Sequence, residues 1–331
     1  MSFEGHKRSI NDIIIHQNTL ISSSDDHTIK IWNLETGECI KTLIGHSLWV
    51  RNMLIFQNKL ISCASDKTIK IWDLNSFECI KTLKGHKEGI RNILMYENHL
   101  ISCSNDTTIK IWDITTAVSI KTLKGHQNCV ITMLIYKNQL ISSSEDKTIK
   151  IWDLSNMNGN CLRTLEGHKC AGVNIIIYKD QLISCAWDKN IKIWDIDSGH
   201  CLKTIKDGNY WNNKTFIYNN HLICFTMHDT ILKIKSLDTF IDLKTECIET
   251  TTFVLHRGLI YYNESRKIKS FKYLPYFNDY QRALQIVFKF INNPRIAFRG
   301  KFYRGKFYVR GKRLVGEMYD IYQQYKVENN L

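Results

Sequence analysis

Apolar residues fall into short runs along this chain, and the runs return on a nearly fixed period. A Leu-Ile pair begins at Leu20, Leu60, Leu100, Leu140, Leu182, Leu222 and Leu259, at intervals of 40, 40, 40, 42, 40 and 37 residues. Ile69-Lys70-Ile71-Trp72 alternates apolar with polar, the pattern of a half-buried strand. Ile93-Leu94-Met95-Tyr96 is continuously apolar, as expected of a strand covered on both faces. Glu97-Asn98 follow it directly, and the matching positions hold Gln17-Asn18, Gln57-Asn58, Lys137-Asn138 and Arg257-Gly258. Such two-residue loops suit tight hairpins whose turns need positive φ. With Cys79-Ile80-Lys81-Thr82-Leu83 added, the unit predicts four short strands and no helix.

A four-stranded sheet of that size cannot bury both faces by itself. Sheets packed face to face around an axis solve the problem and leave only short edges. Gly-His dipeptides mark the units at His6, His46, His86, His126 and His168, and tryptophans at Trp32, Trp72, Trp112, Trp152 and Trp194. On these residues the chain resembles the WD40-repeat family, whose units run from Gly-His to Trp-Asp. The resemblance covers about residues 1–273 and implies an all-β fold, a seven-bladed WD40 β-propeller, with six blades as the alternative. The repeats fall at about 1–44, 45–84, 85–124, 125–166, 167–206, 207–243 and 244–273. Two depart from the pattern. The sixth has Asp207-Gly208 in place of Gly-His and Ile234-Lys235-Ser236 in the Trp-Asp region, and Phe271 replaces the tryptophan of the seventh. The heavy use of Ile, Lys and Asn suggests an AT-rich genome, and in this the chain resembles WD-repeat proteins of protists or large DNA viruses.

The resemblance implies a buried hydrogen-bonded network in each blade. Its members here are His46, Ser62, Asp66 and Trp72; His86, Ser102, Asp106 and Trp112; His126, Ser142, Asp146 and Trp152; and His168, Ser184, Asp188 and Trp194. Their expected role is structural, since buried polar groups need partners and a satisfied network specifies one arrangement. Family members close the ring by pairing a terminal strand with the opposite end. Ser2 to Glu4 parallel Thr82 to Lys84 and are expected to complete the last blade.

Composition changes the picture mainly beyond residue 273. Hydrophobic residues make up 44% of the 331, ample for a core. Of the net charge of +13, residues 274–331 carry +7, with eleven Lys/Arg against four Asp/Glu. Both prolines, Pro275 and Pro294, lie there too. This segment reads as a basic C-terminal α/β extension. Ala283, Leu284, Val287, Phe288 and Ile291 predict a helix over 279–292, followed by a basic and aromatic stretch over 295–327. Arg299, Lys301, Arg304, Lys306, Arg310 and Lys312 stand among aromatics, a composition that can hold phosphates and stack bases. A nucleic-acid contact through this segment is one reading; a protein contact or packing strands are the others.

Eleven cysteines include no CxxC, and most fall into two repeat slots: Cys39, Cys79, Cys161 and Cys201, then Cys63, Cys103 and Cys185. They are expected to be small core residues rather than a disulfide framework. Histidines 40 residues apart land in separate blades, so no metal site and no cofactor are expected. There is no apolar N-terminal run and no apolar stretch of about 18 residues, so the chain is expected to be soluble, cytoplasmic or nuclear, and not secreted.

No enzyme signature survives inspection. Gly300 to Lys306 has P-loop spacing, but Phe307 stands where Ser or Thr must ligate magnesium. HExxH and GxSxG are absent. The informative residues lie instead where the resemblance places an upper rim. Trp49 and Trp211 sit three places after the Gly-His slot, Trp187 directly precedes Asp188, and Tyr210 adjoins Trp211. Arg51 and Arg91 share one slot, five places after their histidines. Aromatics and Arg are enriched in binding hot spots, and Arg suits carboxylate or phosphate. The expected function is a non-catalytic protein-interaction scaffold or substrate-recruiting adaptor for peptide or protein partners, acidic or phosphorylated, as a monomeric subunit of a larger complex. The residues before His6 leave no room for an F-box or BTB module, so a ubiquitin-ligase role is expected to need a separate chain.

Overall fold

The computed structural model describes residues 2–171 and 174–206 and, beyond these, the backbone of the strands between Thr215 and Arg313. The chain divides into two compact units, Met1–Lys272 and Tyr273–Leu331.

The first unit consists of seven four-stranded antiparallel sheets. After β1 (Ser2–Glu4), the first sheet holds β2 (Ile10–His16), β3 (Thr19–Ser24), β4 (Thr28–Asn33) and β5 (Cys39–Ile44) in that order. The second holds β6 (Val50–Phe56), β7 (Lys59–Ala64), β8 (Thr68–Asp73) and β9 (Cys79–Lys84). Four more sheets of the same order start at Ile90–Tyr96, Val130–Tyr136, Asn174–Tyr178 and Thr215–Tyr218. The seventh has three strands from the end of the unit and takes β1 as its fourth, with Phe3 opposite Ile268. The first strands of successive sheets touch, from β2 to β6 and on to Thr215–Tyr218, and Phe253–His256 meets β2. The result is a seven-bladed β-propeller rather than a six-bladed one, and the first and last strands of this unit share one blade.

The Leu-Ile pairs explain why the sheets cannot stand apart. Strand periodicity of two sends neighbouring residues to opposite faces. Leu60 packs with Ile21, Ile29, Ile31 and Leu43 of the first blade, whereas Ile61 packs with Ile90, Ile93, Leu100 and Trp112 of the third. Leu140 and Ile141 repeat the division, one turned back and the other forward. Each blade therefore contributes to two cores. At the closure, Phe3 packs with Ile10, Ile13, Leu20 and Trp32.

The hairpin turns have the expected left-handed backbone: Gln57 and Asn58 adopt φ of 48° and 58°. The unit with a 42-residue interval accommodates its extra length in a short 3-10 turn, Ser155–Met157.

One expectation about cysteine fails. Cys63, Cys103 and Cys185 are buried, but Cys39, Cys79, Cys161 and Cys201 are exposed. Each starts the outermost strand of its blade, and in the first blade a bulge takes the register from Cys39 opposite Trp32 to Lys41 opposite Ile31, so that Cys39 faces away from the side on which Leu43 reaches the inter-blade core.

In the second unit Lys301–Tyr303, Lys306–Val309 and Lys312–Arg313 form a three-stranded antiparallel sheet. The helix expected over 279–292 lies outside the described residues, as do Arg299, Arg304 and Arg310. Among the described residues no helix is long and apolar enough to cross a membrane.

The closure generates a stability prediction. Phe3→Ala is expected to cost about 3–5 kcal/mol, the range for emptying a buried aromatic site. At roughly 2–4 °C per kcal/mol for a unit of this size, Tm in a calorimetric scan should fall by about 10 °C. An unchanged Tm would show that β1 does not hold the ring.

Candidate partner-binding rim

The upper face is the one that carries the Gly-His loops, and a relay of hydrogen bonds fastens each loop to its blade. His46 Nδ1 lies 2.8 Å from Asp66 Oδ2, and its Nε2 lies 2.8 Å from Ser62 Oγ. Trp72 Nε1 donates to the same Ser62 oxygen at 2.9 Å. One proton arrangement satisfies every member: the indole N–H donates to serine, the serine hydroxyl donates to Nε2, and Nδ1–H donates to the carboxylate. This assigns the neutral Nδ1–H tautomer to the histidine. A doubly protonated ring would leave the serine proton without an acceptor. Equivalent contacts join His86, Asp106, Ser102 and Trp112. They recur for His126, Asp146, Ser142 and Trp152, and for His168, Asp188, Ser184 and Trp194.

Asp66 also accepts from Thr68 Oγ1 at 2.7 Å and from the Ser47 backbone N–H at 3.0 Å. Burial works to raise its pKa, but the hydrogen bonds it accepts from His46, Thr68 and the Ser47 N–H outweigh burial and bring it down to about 2. Asp26, Asp106, Asp146 and Asp188 are lowered by the same balance. Burial pulls His168 below its ordinary value against the pull of Asp188, in keeping with a neutral ring.

This scaffold positions the rim. The carbonyl three places after each histidine accepts from the residue before the network aspartate: Ser65 N–H to Trp49 O at 2.8 Å, Asn105 N–H to Gly89 O at 2.9 Å, and Trp187 N–H to Ala171 O at 3.2 Å. Trp49 and Trp187 are therefore fixed in backbone yet remain 40% and 45% exposed. Arg51 and Arg91 are the extra residues of β-bulges at the start of their blades' innermost strands. Register passes from Val50 opposite Ala64 to Asn52 opposite Cys63, and from Ile90 opposite Ser104 to Asn92 opposite Cys103. A bulge re-aims the side chain it inserts.

Arg51 Nε donates to Ser65 Oγ at 3.1 Å, its guanidinium lies 4.5 Å from the Trp49 ring centre, and Nη1 is 4.0 Å from Asp25. Arg91 Nε donates to Asn105 Oδ1 at 2.6 Å, and Nη2 is 3.8 Å from Glu145. Burial, then repulsion from Arg91, pulls Arg51 below its ordinary pKa, and Asp25 only offsets this. Trp49, Arg51 and Arg91 thus gather on the second and third blades, while Trp187 stands on the fifth. Tyr210 and Trp211 lie outside the described residues. Lys301, Lys306 and Lys312 fall on strands of the second unit, where Lys301 stands opposite Tyr308 and Lys306 opposite Tyr303.

Sequence reasoning missed several participants. The network threonines Thr28, Thr68, Thr108 and Thr148 were legible as an Asp-x-Thr recurrence; the fifth repeat has Asn190 there, whose backbone N–H caps Asp188 at 3.0 Å. His6, Asp26, Ser22 and Trp32 form a further complete relay in the first blade. Asp12 accepts from the Met53 N–H at 3.1 Å, and Asn52 from the Ile93 N–H at 3.3 Å, tying innermost strands of neighbouring blades together. Among the described residues no group of three or more His, Cys, Asp or Glu could hold a metal ion.

Comparison with known proteins agrees with this geometry. The family model described as WD domain, G-beta repeat matches residues 1–33, 37–73, 77–113, 117–153 and 159–195. The crystal structure of the computationally designed Ika8 protein is similar at 27% identity and a TM-score of 0.67, covering 82% of this chain and 86% of that one. Curated relatives match over single-repeat stretches. WD repeat-containing protein pop2 of Schizosaccharomyces pombe is 47% identical over 36 residues, 11% of this chain. Nuclear distribution protein PAC1 of Candida glabrata is 45% identical over 42 residues, 13% of this chain. The protein named probable E3 ubiquitin ligase complex SCF subunit scon-2 of Neurospora crassa is 46% identical over 41 residues, 12% of this chain. These stretches span only 5%, 9% and 6% of the respective relatives.

Two outcomes follow from the relay. Ser62→Ala strands the Trp72 N–H and His46 Nε2 in a buried site, at about 1–3 kcal/mol each. Denaturant unfolding should show a loss of roughly 2–6 kcal/mol in total, with the slope m unchanged. The second concerns pH. Because folding lowers the Asp66 pKa from 3.8 to about 2, the unfolded chain binds more protons between those values. The stabilisation is complete above 3.8 and is lost as pH falls through 2. Asp66→Asn should unfold more easily at pH 7 and lose less further stability across that acid window than the parent.

Proposed function

This chain belongs to the WD40-repeat family, and from that premise we infer that it is a non-catalytic protein-interaction scaffold whose upper rim receives an acidic or phosphorylated segment of a partner. The observation that carries the reading is the Arg51–Arg91 pair. Two half-buried guanidinium groups on adjacent blades repel each other, among the described residues each pairs with one carboxylate, at 4.0 Å and 3.8 Å, and their Nε atoms are already engaged. An anion between them would relieve the repulsion and take up the remaining N–H donors, which is the geometry in which Arg binds carboxylate or phosphate strongly. Trp49, stacked on Arg51, and Trp187 add exposed aromatic area of the kind that anchors interfaces. A rigid ring presents all of this with little conformational cost on binding.

The wider role we propose is that of an adaptor within a larger complex. One matched relative is itself named as a subunit of an SCF ubiquitin ligase complex. A second reading assigns nucleic-acid contact to residues 295–313, where the strand register sets lysines opposite tyrosines. Binding of a single-stranded RNA 20-mer that falls steeply with salt, and disappears on removal of 295–313, would favour it.

The rim is tested with labelled peptides, acidic, phosphoserine-containing and neutral, titrated against the intact chain. The parent should prefer the acidic and phosphorylated peptides. Arg51→Ala combined with Arg91→Ala should weaken them by about 10–100-fold, the equivalent of one or two charged hydrogen bonds. Equal affinity in parent and double variant would contradict the reading.

A further inference from the structure

The repeats provide an internal comparison, because the same slot can be read in successive blades. Two places before the Gly-His histidine stand Glu4, Ile44, Lys84, Lys124 and Glu166. Two places after it stand Arg8, Leu48, Glu88, Asn128 and Cys170, and three after it Ser9, Trp49, Gly89, Cys129 and Ala171. The sixth repeat, with Asp207-Gly208 in place of Gly-His, carries Lys206, Tyr210 and Trp211; among the five repeats with Gly-His the second alone carries a large apolar residue in all three slots. None of the three is buried: Ile44 is 79% exposed, Leu48 46% and Trp49 40%. All lie within six consecutive residues that lead from β5 into β6 on the upper face.

The fold does not ask for them. The loop they sit in is held by His46, Asp66 and Ser62 with the same distances as in blades where these slots are polar or small. Single exposed apolar side chains are ordinary, but three together at one blade junction mark an interaction surface. The surrounding charge is basic. Lys7 and Arg8 are exposed on the preceding upper loop, and Lys84 and Lys87 on the following one. Of the acids on these loops Glu4 is exposed beside Lys7 and Arg8, Glu88 pairs with Lys67 at 3.1 Å, and Asp25 accepts from Asn11 at 2.8 Å and faces Arg51. Branched aliphatic side chains such as Ile44 and Leu48 offer nothing to a stacked base, which favours a polypeptide over a nucleic acid.

We propose that Ile44, Leu48 and Trp49 form an apolar anchor site on the upper face for a partner segment that presents a large apolar side chain flanked by acidic residues. The site lies on the outer side of the Arg51–Arg91 pair and rests on the reading that this rim binds partner chains. The acidic flanks meet Lys7, Arg8 and Arg51, and the apolar side chain covers Ile44 and Leu48. Such a ligand would be recognised in two parts, and the parts are separable by mutation.

The test uses the intact chain and a displayed library of random 12-residue peptides. Enriched peptides should share a Leu, Ile, Phe or Trp with Asp or Glu on either side. A synthetic copy should bind the parent, and Ile44→Lys combined with Leu48→Asn should weaken it at least tenfold with Tm unchanged. Both replacements are residues that other repeats carry in these slots, so the fold tolerates them. The added lysine also raises the positive charge, so a loss of affinity cannot come from weakened attraction. Replacing the apolar residue of the peptide with Ser should cost the same factor, and little more when combined with the protein variant. Acidic peptides without an apolar residue, bound equally by parent and variant but lost in the Arg51→Ala, Arg91→Ala protein, would overturn the anchor site and leave the rim reading standing. No enrichment, or binding indifferent to both sets of substitutions, would overturn both. Tighter binding of a single-stranded RNA 20-mer than of the selected peptide, weakened by the Ile44 and Leu48 variant, would also overturn it.

Discussion

Apolar packing between neighbouring blades is the constraint from which everything else in this molecule follows. A four-stranded sheet with two apolar faces has no soluble isolated state, and the Leu-Ile pairs give every described blade two such faces. Leu60 belongs with the first blade and Ile61 with the third. Burying a side chain of this kind is worth about 1.5–3 kcal/mol. The pair in each blade therefore outweighs any single hydrogen bond in the relay, whose net worth is about 1 kcal/mol. Packing drives association, and only a closed circle satisfies every face. That is why the first three residues that form strand are taken up by the last blade instead of their own.

The relay of Trp, Ser, His and Asp has a different task. It adds little net stability, but it is costly to break because the groups are buried and the loss of one member leaves its partners unsatisfied. Its value is positional. By fixing the histidine tautomer and clamping the following loop, it delivers Trp49 and Trp187 to the rim with defined backbone geometry. The β-bulges then aim Arg51 and Arg91 from the innermost strands. The residues proposed for recognition are thus not part of the framework but are held by it. The repetition of the framework is what makes a local deviation such as Ile44-Gly45-His46-Ser47-Leu48-Trp49 meaningful.

Much of this could be read from the chain because period-two alternation, turn chemistry and a 40-residue recurrence are all local signals. Gln57-Asn58 signals a left-handed turn, and the resemblance to the family implies the place of Ser62 in the relay. What escaped the sequence was governed by position across the sheet rather than along it. Cys39 and Leu43 lie four apart on one strand, yet one is exposed and the other buried, since a bulge between them carries the register from Cys39 opposite Trp32 to Lys41 opposite Ile31 and turns the two to different faces. The bulge that turns Arg51 leaves no mark in composition. The exposure of Ile44 was hidden because an isoleucine ending an apolar strand reads as core until the neighbouring blades are in place.

Amide hydrogen exchange in the native state tests the claim of mutual dependence most directly. Leu100 is fully buried at the junction of the second and third blades, and Leu100→Ala should cost about 2–5 kcal/mol. If no blade is stable without its neighbours, the slowest-exchanging amides of β2 and of Val130–Tyr136, outside that junction, should lose protection by the same free energy as those of β6 and Ile90–Tyr96. A loss of protection confined to the second and third blades, with the others unaffected, would show that blades hold themselves together singly and would contradict the account.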